Sequence, residues 1–160
     1  GYLDPENFTY HSVKVNIPKG YTPVISNMYL NRQNQVMLVW DKQGFITSNT
    51  DATEADAKYN PFVLPQGWQP IHILQDDASN YWIGTYSGLV KFNSSRQSLS
   101  YRGNNADNDP AIRLMENNYP VIGVHADKNK NIWTVTPAGA TFKIHSVNQH
   151  SGKHIQWETQ

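Results

Sequence analysis

The chain has 160 residues, enough to bury a sizeable core, and sets 13 Lys and Arg against 13 Asp and Glu. That balance leaves no electrostatic footprint for nucleic acid or anionic lipid, and the absence of cysteine excludes a disulfide framework and a Cys-based zinc site. Charged residues reach only 16% and aromatics 12%, a mix that suits an extracytoplasmic β domain with amide-rich turns better than a cytosolic enzyme.

Residues 1–19 open the chain. Gly1 to Asn7 is polar, with no signal peptide, and no stretch of the chain approaches the ~20 apolar residues of a membrane span. Phe8 to Val15 alternates well enough for a strand, read here as the outer strand of a preceding blade, and Pro18-Lys19-Gly20 is a turn. Residues 20–66 form a first unit. Its strands are expected at Val24–Leu30, Val36–Trp40 and Phe45–Ser48, with Phe62-Val63-Leu64 as the outer one. The loop between holds Asp51, Glu54 and Asp56 without the carboxylate and glycine spacing of a calcium loop, so it reads as solvated.

Residues 67–117 form a second unit, with strands expected at Ile71–Gln75, Tyr81–Thr85, Leu89–Asn93 and Ser98–Arg102. A long polar exit, Gly103 to Asn118, carries one helical turn around Ala111 to Glu116. Residues 118–160 form a third unit, with strands at Val121–Ala126, Ile132–Thr136, Thr141–His145 and His154–Trp157. The units are copies. Asp76 and Asp127 are each followed by Asn at four residues, Trp at six, Thr at nine and Gly at twelve. A decayed copy starts at Asn31, with Gln35 and Met37 in the Asn and Trp places. The separations, 45 and 51 residues, with several short strands per unit, point to a β-propeller or a related array. The fold class is therefore all-β: antiparallel four-stranded blades, about three of them, in a partial propeller.

The string Asp76 to Leu89, D-x-x-x-N-x-W-I-G-T-x-x-G-L, resembles the two-component-regulator propeller repeat. The resemblance implies the periplasmic sensor region of a hybrid two-component system in a glycan-degrading bacterium. It implies a non-catalytic role, an oligosaccharide as the signal, and a chain that is a piece of a longer sensor.

Trp82 and Trp133 are expected as buried equivalents, each packed against a neighbouring unit, and Asp76 and Asp127 as carboxylates bonded to turn N–H groups. Asp76 and Asp77 are adjacent, so on a strand they point to opposite faces and do not converge on one glycosidic bond. His145, His150 and His154 have loose metal-like spacing, but no cofactor or metal is expected. No G-x-S-x-G, P-loop or H-E-x-x-H string appears.

An aromatic precedes a proline at the start of each unit: Tyr21, Trp68 and Tyr119. In an up-and-down blade the entry loop and the loop between strands two and three share one end. That end would carry Tyr21, Trp68, Tyr86 and Tyr119, with Lys42, Arg102 and the Gly103–Asn118 loop nearby. Aromatic rings beside amides and charges suit a sugar, and these five residues, Tyr21, Trp68, Tyr86, Tyr119 and Arg102, are the candidate sugar-binding set. The same rings also suit sealing one blade against the next. Three blades do not close a propeller, whose range is about 4–8, so further blades of the parent chain or a second copy are expected partners. A propeller-type carbohydrate-active enzyme and a pure interaction or dimerisation module are the alternatives.

Overall fold

The computed structural model describes residues 2–16, 24–40, 44–49, 54–56 and 60–159. Tyr21 and its Gly20–Pro23 signature, Lys42 and Asp51 lie outside the described residues. The chain divides into two compact units, Gly1–Val63 and Leu64–Gln160. The described residues are nearly all β, in one two-stranded sheet and three larger sheets of four and five strands that are antiparallel except for one edge pairing.

In the first unit, β1 (Tyr2–Leu3) pairs with β2 (Tyr10–His11). The main sheet holds β3 (Lys14–Asn16), β4 (Ile25–Leu30), β5 (Gln35–Trp40), β6 (Gly44–Asn49) and β7 (Glu54–Asp56), in the order β3-β7-β6-β5-β4. Three expectations are corrected here. Phe8 to Val15 is not one strand. Phe8 takes a positive φ of 57°, and β3 then joins its own unit's sheet, parallel to β7. The unit's fourth strand is β7, with β3 along its outer side, and not Phe62-Val63-Leu64. Pro61 and Pro65 flank that stretch and remove ladder donors, and Phe62 instead packs its ring on Phe45 at 4.8 Å. The acidic loop is not merely solvated. The Asn16 amide donates to the carboxylates of Glu54 and Asp56, which fixes β7 to β3. Trp40, Ile46 and Ala55 form one buried cluster of this unit, with Val13, Val15 and Leu38 against them.

The second unit contains two blades. Blade two is β8 (Pro70–Gln75), β9 (Tyr81–Thr85), β10 (Gly88–Asn93) and β11 (Ser98–Tyr101), with a short fifth strand, β12 (Asn104–Asn105). Next comes α1 (Pro110–Leu114), then a 3-10 turn, Met115–Asn117. Asp109 caps the helix by accepting from the N–H groups of Ala111 and Ile112, and Pro110 sits where a missing N–H costs nothing. Blade three is β13 (Gly123–Ala126), β14 (Asn131–Ala138), β15 (Thr141–Asn148) and β16 (His154–Glu158). Its central hairpin runs longer than the sequence suggests, with Ala138 pairing Thr141 across a turn at Gly139, where φ is 66°.

The repeat has a chemical basis. Asp76 Oδ1 accepts from the N–H groups of Ala78 and Asn80, while Oδ2 accepts from the Asn80 amide at 3.1 Å and the Trp82 indole at 2.8 Å. Asp127 does the same with Asn129, Asn131 and Trp133, the indole bond being 2.9 Å. The decayed copy keeps the frame. Asn31 Oδ1 accepts from the N–H groups of Gln33 and Gln35, and Met37 is fully buried in the Trp place. Methionine brings no N–H, so the acceptor oxygen is no longer needed there. Asn31 Nδ2 instead donates to Gln35 Oε1 at 3.0 Å.

Blades two and three touch closely at Gly84. A Cβ there would stand 2.5 Å from the Val121 carbonyl oxygen, so any side chain would drive the blades apart. Val121 N–H also donates to Thr85 O at 2.9 Å. Trp82 and Gly84 lie two apart on one face of β9, and that face is covered: Trp82 is 0% exposed. Trp133 departs from the expected equivalence. It is half-buried and stacks on Trp157 of its own blade, with centroids 5.3 Å apart and planes at 10°. The strand registers put Trp133, Val135, Phe142, Ile144, Ile155 and Trp157 on one face, where Phe142, Ile155 and Trp157 are exposed.

Candidate functional site

Strand polarity brings the candidate rim together at one end of blade two. β8 begins where β9 ends, with Pro70 opposite Thr85, and Tyr86 N–H donates to Gln69 O at 3.1 Å. β11 ends at the same level, with Tyr101 opposite Val90. The bond from Val121 to Thr85 O brings Tyr119 to that end as well. Trp68, Tyr86, Tyr101, Arg102 and Tyr119 therefore gather at the Thr85 end.

The side chains form a continuous stack. Trp68 meets Tyr101 edge to face at 5.2 Å. The Arg102 guanidinium lies 4.5 Å over the Tyr119 ring and 5.9 Å from the Trp68 ring centre. The indole edge of Trp68 leans on Gly88, where φ is 134°; a Cβ there would come within 3.8 Å of the ring. Tyr119 is 52% exposed and Tyr86 42%, while Trp68 is half-buried. Tyr101 was missed in the sequence. It sits on a regular strand, and nothing in its spacing marks it as a neighbour of Trp68.

The Gly103–Asn118 loop does not stay at this end, as the sequence reading had it. Past β12 it crosses to the far end, where Asp107 accepts from the Asn93 amide and the Ser98 hydroxyl. It returns through α1. Asn105, within this loop, is occupied with Asp109: its amide donates to Asp109 O and its Oδ1 accepts from Asp109 N–H.

The far end holds a cleft of about 380 Å³ between the Asp76 and Asp127 turns, and Asp76, Asp77, Asp107, Asp109 and Asp127 all line it. Its carboxylates are engaged. Lys91 Nζ is 2.8 Å from Asp109 and 3.9 Å from Asp107, with both carboxylates almost fully buried. The same ammonium lies 5.3 Å from the Trp82 ring centre. Burial pushes the Asp127 carboxyl up, but the Trp133 indole, the Asn131 amide and the N–H groups of Asn131 and Asn129 outweigh it and hold the pKa at about 2. A folded pKa below the ordinary 3.8 means that this carboxylate stabilises the fold above about pH 4, and that the contribution is lost as pH falls towards 2. Acid-unfolding curves of wild type and Asp127→Asn are expected to differ above pH 4 and to converge as pH approaches 2. A constant gap across that range would assign Asp127 no linkage.

Of the three spaced histidines, two meet. His145 Nδ1 is 3.4 Å from His154 Nε2, and the rings are nearly parallel with centroids 5.6 Å apart. Thr136 Oγ1 is 3.3 Å from His145 Nε2. Burial, then His154 and Lys143, hold His145 below the ordinary histidine value. His150 is not in the pair. Its N–H caps the turn at Asn148, and no cluster of three or more metal-type side chains occurs among the described residues.

No family model and no curated protein sequence matches the chain. Solved structures do. Two are of the extracellular domain of BT4673 from B. thetaiotaomicron, described as a one component system in one and as a hybrid two component system in the other. The second aligns over 83% of this chain with a TM-score of 0.53 at 16% identity, and the first over 83% with a TM-score of 0.49 at 16% identity. This chain spans 16% of the length of each. At that identity the second likeness shows a shared fold, in keeping with the repeat.

Proposed function

We propose that this chain is a non-catalytic part of the periplasmic sensor region of a hybrid two-component system, and that it senses an oligosaccharide. The observation that carries the reading is the stack at the Thr85 end, in which the Tyr119 ring stays exposed beneath a guanidinium. A sugar offers an apolar C–H face to such rings and hydroxyls to the polar groups between them. The fold likeness to an extracellular sensor domain supports an extracytoplasmic setting. The engagement of the cleft aspartates with Lys91, turn N–H groups and indoles supports a binding role over hydrolysis, which needs a free carboxylate pair. Titration of an oligosaccharide panel, followed by tryptophan fluorescence, tests the reading. Trp68→Ala and Tyr119→Ala are expected to weaken a bound sugar about tenfold each, since a stacked ring contributes on the order of 1–2 kcal/mol. Unchanged affinity in folded variants would move the site elsewhere.

One observation favours the assembly reading as an accompaniment. The covered Trp82 face of blade two has an uncovered counterpart on blade three, with Phe142, Ile155 and Trp157 exposed. A further blade of the parent chain or a second copy fits that face. The chain alone is expected to self-associate in light scattering at micromolar concentration, and Trp157→Lys to shift it towards monomer. A monomer that excludes hydrophobic dyes would count against it.

A further inference from the structure

We infer that the ligand of the rim is an anionic oligosaccharide, carrying carboxylate or sulfate groups, and that Arg102 selects it; the inference rests on the oligosaccharide reading above. Arg102 lies across Tyr119 at 4.5 Å and reaches the Trp68 ring at 5.9 Å. A guanidinium held over a ring by cation–π attraction still presents a planar fork of N–H groups, the geometry that bonds an oxyanion in pairs. Among the described residues Arg102 makes no ion pair, whereas Lys91 pairs with Asp109 and Asp107, and Arg96 with Asp107. Glu116, three residues before Tyr119, makes no ion pair with Arg102 among the described residues.

The aspartates stand away from the rim. Every aspartate of residues 64–160 lines the cleft at the opposite end of the sheets from Arg102. A negatively charged sugar at the rim is met by a cation set on aromatic rings, with no aspartate of residues 64–160 beside it. A neutral sugar would use the rings alone and leave the guanidinium unmatched.

The test titrates the 160-residue chain with three tetrasaccharides of matched length: tetragalacturonate, a chondroitin sulfate tetrasaccharide and maltotetraose. The expected result is binding of at least one anionic sugar about tenfold or more tighter than maltotetraose, as charge-assisted bonds predict. That advantage is expected to shrink at raised ionic strength and to be lost in Arg102→Gln, with Arg102→Lys keeping part of it. Preference for tetragalacturonate or for the sulfated sugar then tells which oxyanion is read. If maltotetraose binds as well as the anionic sugars, and Trp68→Ala weakens it while Arg102→Gln does not, the anionic inference fails and the rim reading stands. If no sugar of the panel binds, both fail.

Discussion

Replacing Trp82 with alanine is expected to cost about 3–5 kcal/mol, the range for deleting a large buried aromatic. Its indole is fully buried and touches three distinct partners. It donates to Asp76 at 2.8 Å, lies 5.3 Å from Lys91 Nζ, and shares the β9 face that blade three covers. Alanine leaves a cavity at the blade interface, and Asp76 Oδ2 keeps only the Asn80 amide as a donor. Trp133→Ala is expected to cost less, because Trp133 is half-buried and its stacking partner, Trp157, is itself 43% exposed. Urea unfolding of both variants measures the difference. Equal losses would mean that blade three covers Trp82 without gaining stability from it.

Lys91→Met is expected to destabilise by about 3–5 kcal/mol, the cost of leaving buried charge without its partner. The side chains of Asp109 and Asp107 are 2% and 5% exposed, so the ammonium is the countercharge for both. Asp109 also caps α1 and is clasped by Asn105, so the loss spreads into the loop that crosses from one end of the sheets to the other. Arg96, 3.5 Å from Asp107, is exposed and compensates little. Asp109→Asn in the Lys91→Met background is expected to recover part of the loss, since asparagine still caps the helix and removes one unpaired charge. A Lys91→Met variant as stable as wild type would show the pair to be solvated.

The strands of blades two and three were legible because each alternates in period two between polar turns, and because Asp, Asn and Trp recur at fixed intervals. The helix start could be read from Asp109-Pro110, a cap followed by a residue that needs no donor. The fourth strand of the first unit was not legible. Phe62-Val63-Leu64 has the better β composition, yet Glu54-Ala55-Asp56 forms the strand, because Asn16 and Lys14 on β3 receive its carboxylates. That match depends on residues some forty positions away. The rim was legible as far as polarity goes, since alternating strand direction puts entry loops and second hairpins at one end. Tyr101 and the path of the long loop were not, because they depend on the Asp107 and Asp109 contacts, which no local pattern encodes. The half-exposure of Trp133 escaped for another reason: identical repeats differ when only one of them has a covered face.

The hydrogen bond from Val121 N–H to Thr85 O has a kinetic meaning. It joins β9 to the segment that leads into β13, next to a glycine that admits no side chain. Exchange with deuterated solvent at Val121 requires the two sheets to part, whereas amides inside either ladder can open within their own sheet. The Val121 amide is thus a clock for blade separation. If it exchanges as slowly as the central amides of β9 and β14, the two blades open as one cooperative unit, and a displacement of one moves the other.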